Sequence, residues 1–435
     1  MQLAAWTLLC LVLAVALRRR PFVLLVGSVL LWFLVPGVAG DLLVGPPVSG
    51  LTLHPAAVAI LVTFCTQLVV SPRELAAAVG QRREMFALLV GVCVVAVCLG
   101  FMTRGLSSFA MALEEVCAPV AAFLLLGVSL RQDPRRLALL CNLLIGIGAC
   151  EALFSVAQLM LKSTILYQSS FEKQYWFSPS FDRWMGTLDH PLILGMLLAV
   201  VVPLLARVGP TWRMAPLLLL MLTGEVVAQS RAGLTMAVIG AVYVMASRRS
   251  SMFTRLALAT LVGSAALVAW RAGYFDAFAQ RVTDDTGSSA ARGSAWDYFL
   301  GHIADFSGVG RGMGASYDVS GSAGLGTSFE NSFIMFSIDL GLLPAIMYFG
   351  VMCACCVRAF RQCAHLALPL AATAALIAPQ TFSGLSSQSV ASCLVWLVFA
   401  MAAYGTDRIP LGDGPVRRRL DWSAQQGSRA LIRQP

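Results

Sequence analysis

The chain has 435 residues, of which 58% are hydrophobic and only 12% are charged. In a soluble domain about a quarter of the residues are charged. This composition has too few charged residues to cover a water-facing surface, and it predicts an integral membrane protein. The net charge of +9 does not indicate nucleic-acid binding, because the basic residues occur in short clusters between apolar runs, as topology signals do.

Apolar runs of span length predict a polytopic, all-α transmembrane bundle. A span needs about 20 residues, and thirteen runs approach this length. The first run is short and a polar turn interrupts the last two, so the prediction is 12 or 13 spans. The thirteen candidate spans are residues 2–17, 21–39, 53–70, 86–102, 110–130, 137–161, 190–206, 214–229, 231–247, 256–270, 331–356, 366–380 and 388–404.

Arginine clusters in alternate connections predict which side of the membrane each connection faces. Short cytoplasmic loops carry an excess of Lys and Arg, whereas loops 40–52 and 103–109 are poor in both. We therefore expect a cytoplasmic C-terminus and an outer N-terminus, with residues 1–404 forming the bundle and 405–435 a disordered, basic cytoplasmic tail. The clustered arginines before the tail are Arg18, Arg19, Arg20, Arg73, Arg82, Arg83, Arg131, Arg135, Arg136, Arg207, Arg213, Arg248, Arg249, Arg255, Arg358 and Arg361.

Two long loops, residues 162–189 and about 271–330, fall on the outer side of this arrangement. Loops of more than about 15 residues are uncommon and are often functional. The first loop is rich in aromatic residues, and the second contains the glycine-rich stretch GVGRGMG and seven acidic residues. We expect the chemistry on this outer face, with the second loop large and partly helical.

The cysteines and the carboxylates within the predicted spans have more than one interpretation. The 12 cysteines lie in apolar runs or at their ends, which is typical of small buried apolar residues and predicts no metal site. Glu151 and Glu225 lie deepest in the predicted spans, with Glu114 and Glu115 near the outer end of theirs. Ionisable residues at such depth are functional by default, or each pairs with a polar neighbour and fixes helix packing. Both interpretations stay open.

The segment Gln229-Ser230-Arg231 is predicted as a tight outer turn, because the two apolar spans that flank it leave no room for a longer loop. The turn holds Arg231 at the membrane boundary. An arginine there is suited to bidentate phosphate contacts, but it can equally extend its side chain to the lipid headgroups. The position alone leaves both open.

The second loop ends in two further polar features. Gly308 to Gly314 lacks the Lys-Ser/Thr of a phosphate-binding loop and follows no predicted strand, so it favours tight packing of the loop against the bundle. Glu330 precedes a predicted helix at the outer boundary, with Asp339 further along the same polar track. Its carboxylate is either stabilised by the helix macrodipole or acts as a general base in a partly desolvated cavity.

The outer side carries short motifs in a definite order. They are Arg183-Trp184-Met185-Gly186-Thr187-Leu188-Asp189-His190-Pro191, Ser230-Arg231, Arg292 to Trp296, Gly308 to Gly314, Glu330-Asn331 and Asp339-Leu340-Gly341. Over roughly residues 180–345 this series resembles the O-antigen ligase and O-antigen polymerase family of bacterial glycan-assembly proteins. One departure is Glu330, because the ligases have a histidine there that is taken to activate the acceptor sugar. The departure favours a polymerase over lipid A-core ligation.

The resemblance implies a GT-C-like, metal-independent glycosyltransferase with a donor carried on undecaprenyl diphosphate and with no cofactor. It implies that Arg231 and Arg292 clamp the diphosphate and stabilise charge on the leaving group, and that Glu330 deprotonates the acceptor. The aromatic residues of the first loop would contact sugar rings or, alternatively, form an interfacial belt. The implied substrate-binding residues are Arg183, His190, Arg311, Asn331, Trp176, Tyr175 and Trp184.

The expected function is therefore a polymerase that joins lipid-linked repeat units of an exopolysaccharide, capsule or O-antigen on the periplasmic face of a bacterial inner membrane. Its expected partners are the lipid-linked oligosaccharide, membrane lipids, a chain-length regulator and a flippase, with no nucleic acid. A ligase that moves finished glycan to lipid A-core or another acceptor is the first alternative. A transporter or flippase without chemistry is the second, and it rests on Glu151 and Glu225.

Overall fold

The computed structural model describes residues 2–46, 51, 53–80, 82–174, 177, 183–208, 211–247, 252, 256, 260, 263, 286–325, 327–387 and 389–405. Within these residues the regular structure is helical, and no β-strand occurs. The predicted span 256–270 and the tail 405–435 lie almost entirely outside the described residues. The all-helical class predicted from the sequence is confirmed for the described part of the chain.

The α-helices are numbered in chain order over the described residues. They are α1 Gln2–Ala16, α2 Pro21–Leu34, α3 Asp41–Val44, α4 Pro55–Val70, α5 Pro72–Gly80, α6 Arg83–Leu99, α7 Leu106–Met111, α8 Ala118–Gln132, α9 Arg135–Leu161, α10 Gln168–Phe171, α11 Pro191–Val201, α12 Thr211–Ala228, α13 Arg231–Ala246, α14 Thr286–Gly301, α15 Ile303–Phe306, α16 Ala315–Ser322, α17 Ser332–Leu340, α18 Leu342–Gln362, α19 Ala367–Ile377 and α20 Ser389–Tyr404. Two π turns, Gly100–Arg104 and Ala112–Cys117, prolong α6 and join α7 to α8.

Four continuous helices of the described chain are long and apolar enough to cross a membrane: Arg83–Arg104, Leu106–Gln132, Arg135–Leu161 and Leu342–Gln362. Two bent pairs of helices raise this number to six if each pair is one span. The pair Pro21–Leu34 and Gly37–Val44 bends by 90°, and the pair Pro55–Val70 and Pro72–Gly80 by 101°. The described residues therefore hold four to six candidate spans, fewer than the predicted 12 or 13.

The difference has a physical cause in the sequence. Hydropathy counts apolar residues, whereas proline interrupts the helix that would carry them, since it lacks an N–H and clashes with the preceding turn. Pro36 and Pro72 lie at the two bends, and α11 gives way to a 3₁₀ turn, Val202–Arg207, that contains Pro203. Five further predicted spans are apolar helical segments of 10–17 residues, and two of these contain an internal proline.

The predicted span 331–356 is not one helix. Gly341 lies between α17 and α18 with a φ of +97°, a conformation that residues with a Cβ rarely adopt. Its position also abuts the backbone of Gly308, because a Cβ built on Gly341 would lie 2.5 Å from the Gly308 carbonyl oxygen. The interruption therefore makes room for the second loop to pack against the bundle.

Helices α8 and α20 form the centre of the bundle. Every residue of α20 is buried, and so are residues 118–130 of α8. Aromatic rings join the two helices, with the Phe123 and Trp396 centroids 5.2 Å apart. Outer helices instead expose apolar side chains, such as Val69 at 82% and Met160 at 79%. Extensive exposed apolar surface marks contact with lipid or with another protein, in agreement with a membrane protein.

The connections gather at two ends of the bundle. We call the described parts of residues 35–54, 162–190, 286–331 and 378–389 the loop-rich end; there the Val38 N–H donates to Asp189 and Asn331 donates to the Gln380 carbonyl. The arginine-rich end comprises the described parts of residues 17–20, 71–83, 131–136, 358–365 and 403–405. There Arg131 donates to the Ala77 carbonyl. Contacts of Arg82 with the Ala403 carbonyl and of Arg131 with the Ala77 carbonyl thus join several of the arginine-bearing connections at this end.

Candidate functional site

A cavity of about 580 Å³ lies at the loop-rich end, between the α2–α4 connection, the π turn before α8, the start of α11 and the segment before α20. Its polar lining is mostly acidic or imidazole. Among the described residues, no Lys or Arg lines it. The titratable residues of the lining are Asp41, His54, Glu114, Glu115, Asp189, His190 and Tyr317.

Glu114 and Glu115 project from the π turn Ala112–Cys117, a local geometry that often occurs at functional sites. The Glu114 Oε2 atom accepts a hydrogen bond from the His54 N–H at 3.1 Å. Glu115 is 4% exposed, and its Oε2 atom has no hydrogen-bond partner among the described residues. A buried acceptor without a donor costs free energy, so the cavity holds a polar group that the fold does not satisfy.

Asp189 and His190 form the opposite wall. The Asp189 Oδ1 atom accepts from the Val38 N–H at 3.1 Å. Burial raises the pKa of Asp189, while the backbone N–H groups of Gly37 and Val38 act in the opposite direction. The His190 Nδ1 atom accepts from the Leu192 N–H at 3.1 Å and so caps α11. The local structure therefore fixes both side chains at the edge of the cavity.

Arg183 and Arg231 lie near the turn between α12 and α13. The Arg183 Nε atom donates to the Ala228 carbonyl at 3.4 Å, three residues before Arg231, and its charge acts on the His190 ring. The predicted tight turn is confirmed, because α13 begins at Arg231 and the Ser230 hydroxyl caps it by accepting from a backbone N–H at 3.1 Å. Arg183 therefore bonds the end of α12, just before the turn that leads into Arg231.

Arg292 and Glu330 form an ion pair at the same end. The Arg292 Nε and Glu330 Oε2 atoms are 3.0 Å apart, and the side chains are 40% and 26% exposed. A second guanidinium nitrogen donates to the Thr381 carbonyl at 3.4 Å. As predicted, Glu330 immediately precedes a helix N-terminus, but the structure pairs its carboxylate with Arg292. Its backbone has a φ of +47°, which is uncommon for a non-glycine residue.

Asn331 contributes to the fold through both ends of its amide. Its Oδ1 atom accepts from the Ile334 N–H at 3.0 Å and caps α17, while its Nδ2 atom donates to the Gln380 carbonyl at 3.0 Å. The 3₁₀ turn Ala378–Thr381 receives these contacts and also contacts α13. One turn thus adjoins the helix of Arg231, the Arg292–Glu330 pair and Asn331.

Arg311 lies apart from this arrangement. Its guanidinium stacks over the Phe306 ring at 5.5 Å, and its backbone N–H donates to the Ile338 carbonyl at 3.1 Å. The glycine-rich stretch around it packs closely, since a Cβ on Gly310 would lie 2.3 Å from the Asp339 carbonyl oxygen. The sequence interpretation of tight packing is confirmed. Asp339 is buried and accepts from the backbone and hydroxyl of Ser316 at 2.7 and 3.2 Å.

The predicted aromatic contacts with sugars gain no support from the described residues. Trp184 is 1% exposed, so surrounding protein covers its ring. Tyr175 and Trp176 lie outside the described residues. The buried Glu151 carboxyl contacts the Thr187 hydroxyl and N–H at 2.6 and 2.7 Å, the arrangement expected of a packing role.

The cavity contains residues that sequence reasoning did not assign to a site. The sequence predicts no role for Asp189, which lies inside one of the outer motifs, and predicts Glu114 and Glu115 only as carboxylates near a span end. His54 and Tyr317 carried no sequence signal, because only the tertiary fold brings them beside residues 60 or more positions away. Of these residues, only the adjacent carboxylates Glu114 and Glu115 at a predicted span end indicate a polar site from the sequence.

The described residues include no group of three or more His, Cys, Asp or Glu side chains that could hold a metal ion. Comparison with known proteins found no matching family model and no matching curated protein. The chemical interpretation of the site therefore rests on its own residues and on the motif resemblance.

Proposed function

We propose that this chain is a membrane-embedded glycosyltransferase that polymerises oligosaccharide repeat units carried on undecaprenyl diphosphate. The proposal includes a GT-C-like bundle of 12 or 13 spans in a bacterial inner membrane, with the loop-rich end in the periplasm. The observation that carries it is the Arg292–Glu330 pair. Arg292 also bonds the turn Ala378–Thr381, which contacts the helix that begins at Arg231. A general base and several phosphate-binding groups are the parts that this reaction needs.

The ion pair suggests an order of events. In the free protein, the Arg292 guanidinium donates a hydrogen bond to the Glu330 carboxylate and so occupies it. A donor diphosphate that binds Arg292 competes with Glu330 for the same N–H groups. Substrate binding thereby releases the carboxylate when the acceptor hydroxyl arrives.

The reaction then balances as a simple displacement. The acceptor hydroxyl oxygen forms a bond to the anomeric carbon of the donor sugar, and Glu330 takes the hydroxyl proton. The bond between that carbon and the phosphate oxygen breaks, and undecaprenyl diphosphate leaves with the electron pair. Arg231 and Arg292 stabilise the negative charge on the leaving group, while Asn331 keeps Glu330 at its helix end through the α17 cap.

Chain length of the surface glycan tests the proposal in cells that depend on this protein. Arg231→Ala and Glu330→Gln are expected to leave single repeat units and no long chains. Normal chain length in both variants would refute the proposal. A ligase predicts a different result, in which long polymer accumulates on undecaprenyl diphosphate when the protein is lost.

One observation favours transport as a second candidate function. The cavity is lined by four carboxylic residues and no described Lys or Arg, and two helix pairs of the described chain are sharply bent. Transporters use broken helices and buried carboxylates to bind cargo or coupling ions. Under this function, Glu114→Gln and Glu115→Gln would abolish activity, whereas Glu330→Gln would leave it intact.

A further inference from the structure

A groove of about 760 Å³ runs between α6 and α18 at the arginine-rich end. Arg82, Arg83, Arg358 and Arg361 line it, together with a single described carboxylate, Glu84. Charge of this density and sign attracts an anion. The groove lies at the opposite end from the proposed catalytic site, so it is independent of that function.

Arg82 is built into the wall of the groove. Its guanidinium stacks on the Tyr404 ring at 4.1 Å and donates to the Ala403 carbonyl at the end of α20. Its Nε and Nη1 atoms are buried and have no acceptor among the described residues. Burial lowers the pKa of Arg82, and the nearby charge of Arg358 adds to this effect. An anion in the groove would offset the repulsion between Arg82 and Arg358, and it could accept hydrogen bonds from the Arg82 nitrogens.

The other three arginines are exposed at the mouth of the groove. Within the described chain, the structure records no ion pair for Arg83, Arg358 or Arg361. A planar guanidinium is well suited to bind phosphate through paired hydrogen bonds. Guanidinium groups that have no ion pair among the described residues therefore line one groove from two adjacent helices.

The rest of the groove is apolar. Met85 and Leu88 of α6 and Val351 of α18 line it. Both helices are among the four in the described chain that are long and apolar enough to cross a membrane. If these two helices cross the membrane, the apolar wall faces acyl chains and the arginines at the helix ends face the phosphates of the boundary. A free phosphate would use only the arginines, whereas a phospholipid matches both parts.

We propose that this groove binds one anionic phospholipid, with its phosphate held by Arg83, Arg358 and Arg361 and an acyl chain against Met85 and Leu88. Basic pockets between membrane helices are known to bind anionic headgroups. Arg82 adds positive charge at the wall of the groove. Its contacts with Tyr404 and the Ala403 carbonyl connect the groove to the central helix α20.

Lipid retention by the purified full chain tests this proposal. The protein is reconstituted in nanodiscs with phosphatidylglycerol and phosphatidylcholine, and bound lipid is measured by native mass spectrometry after release. Wild type is expected to retain phosphatidylglycerol in preference, and Arg358→Gln with Arg361→Gln to weaken retention about tenfold. The control, Arg73→Gln with Arg135→Gln, removes the same charge at the same end outside the groove and is expected to behave as wild type.

Three results would overturn the proposal: equal retention of the two lipids by wild type, an equal loss in the control, or complete displacement of the lipid by millimolar inorganic phosphate. If the groove variant does not fold, a second measurement on the wild-type protein tests the proposal. Wild-type protein is labelled with a photoreactive phosphatidylglycerol and digested. Label in residues 83–88 or 350–362 is expected, and label only elsewhere would contradict the groove as the site.

Discussion

Replacement of Arg292 by alanine tests whether the Arg292–Glu330 ion pair has a catalytic role or only a structural one. Arg292 bonds Glu330 at 3.0 Å at the loop-rich end, and the chain offers a matched control in the Arg104–Asp318 pair, 2.5 Å long. Both pairs are partly exposed, at 40% and 26% for the first and 32% and 70% for the second. Arg104→Ala therefore removes a comparable ion pair that has no proposed part in the chemistry.

The expected magnitudes differ clearly. Exposed ion pairs contribute about 0–1 kcal/mol to folding, so both alanine variants should lose less than about 1 kcal/mol of stability. Loss of a group that stabilises charge in the transition state costs about 3–4 kcal/mol, or a rate factor of about 10²–10³. Arg292→Ala should therefore reduce the rate by that factor, whereas Arg104→Ala should leave it close to that of wild type.

The rate is measured as the growth of glycan chains in cells that contain each variant at equal abundance. Extracted glycan is separated by size, and the fraction above one repeat unit is followed with time. Thermal unfolding of the purified variants reports stability in parallel. Equal rates for Arg292→Ala and Arg104→Ala, or a rate loss in Arg292→Ala explained entirely by unfolding, would refute the assignment.

Three further variants test the described packing by thermal unfolding. Asn331→Ala should cost about 1–2 kcal/mol, because α17 loses its cap; an unchanged midpoint would contradict the capping role. Gly310→Ala should cost about 3 kcal/mol, because its Cβ meets backbone that cannot move aside, while Gly308→Ala, where a Cβ meets nothing within 4 Å, should cost little. Thr187→Val should cost about 1–3 kcal/mol by removing a hydroxyl contact from buried Glu151, and Thr187→Ser should restore most of it.

Local features of the fold were predictable from the sequence. The turn before Arg231 followed from two apolar runs that nearly touch in sequence, and the structure places Ser230 as its cap. Close packing of the glycine-rich stretch followed from the absence of a phosphate-binding pattern, and Gly310 confirms it by its contact with Asp339. These features depend on residues within one segment, where backbone geometry limits the choices.

Tertiary features were not predictable in the same way. The Arg292–Glu330 bond joins residues 38 positions apart, and nothing in the sequence indicates that the two side chains form a pair. The cavity required Glu114, His54 and Asp189 to meet from three separate segments. Hydropathy also does not register where a proline bends a helix, as at Pro36 and Pro72.

The central position of α20 has a consequence for synthesis of the protein. This helix lies near the end of the sequence, yet α8, more than 250 residues earlier, forms much of its surroundings, and Gly127 leaves the space that the Tyr404 ring fills. A ribosome delivers α8 long before α20, since chains emerge from the N-terminus at about 5–20 residues per second. At that rate, α8 waits about 14–54 seconds for α20, and we expect the interior of the bundle to stay open until this last helix packs.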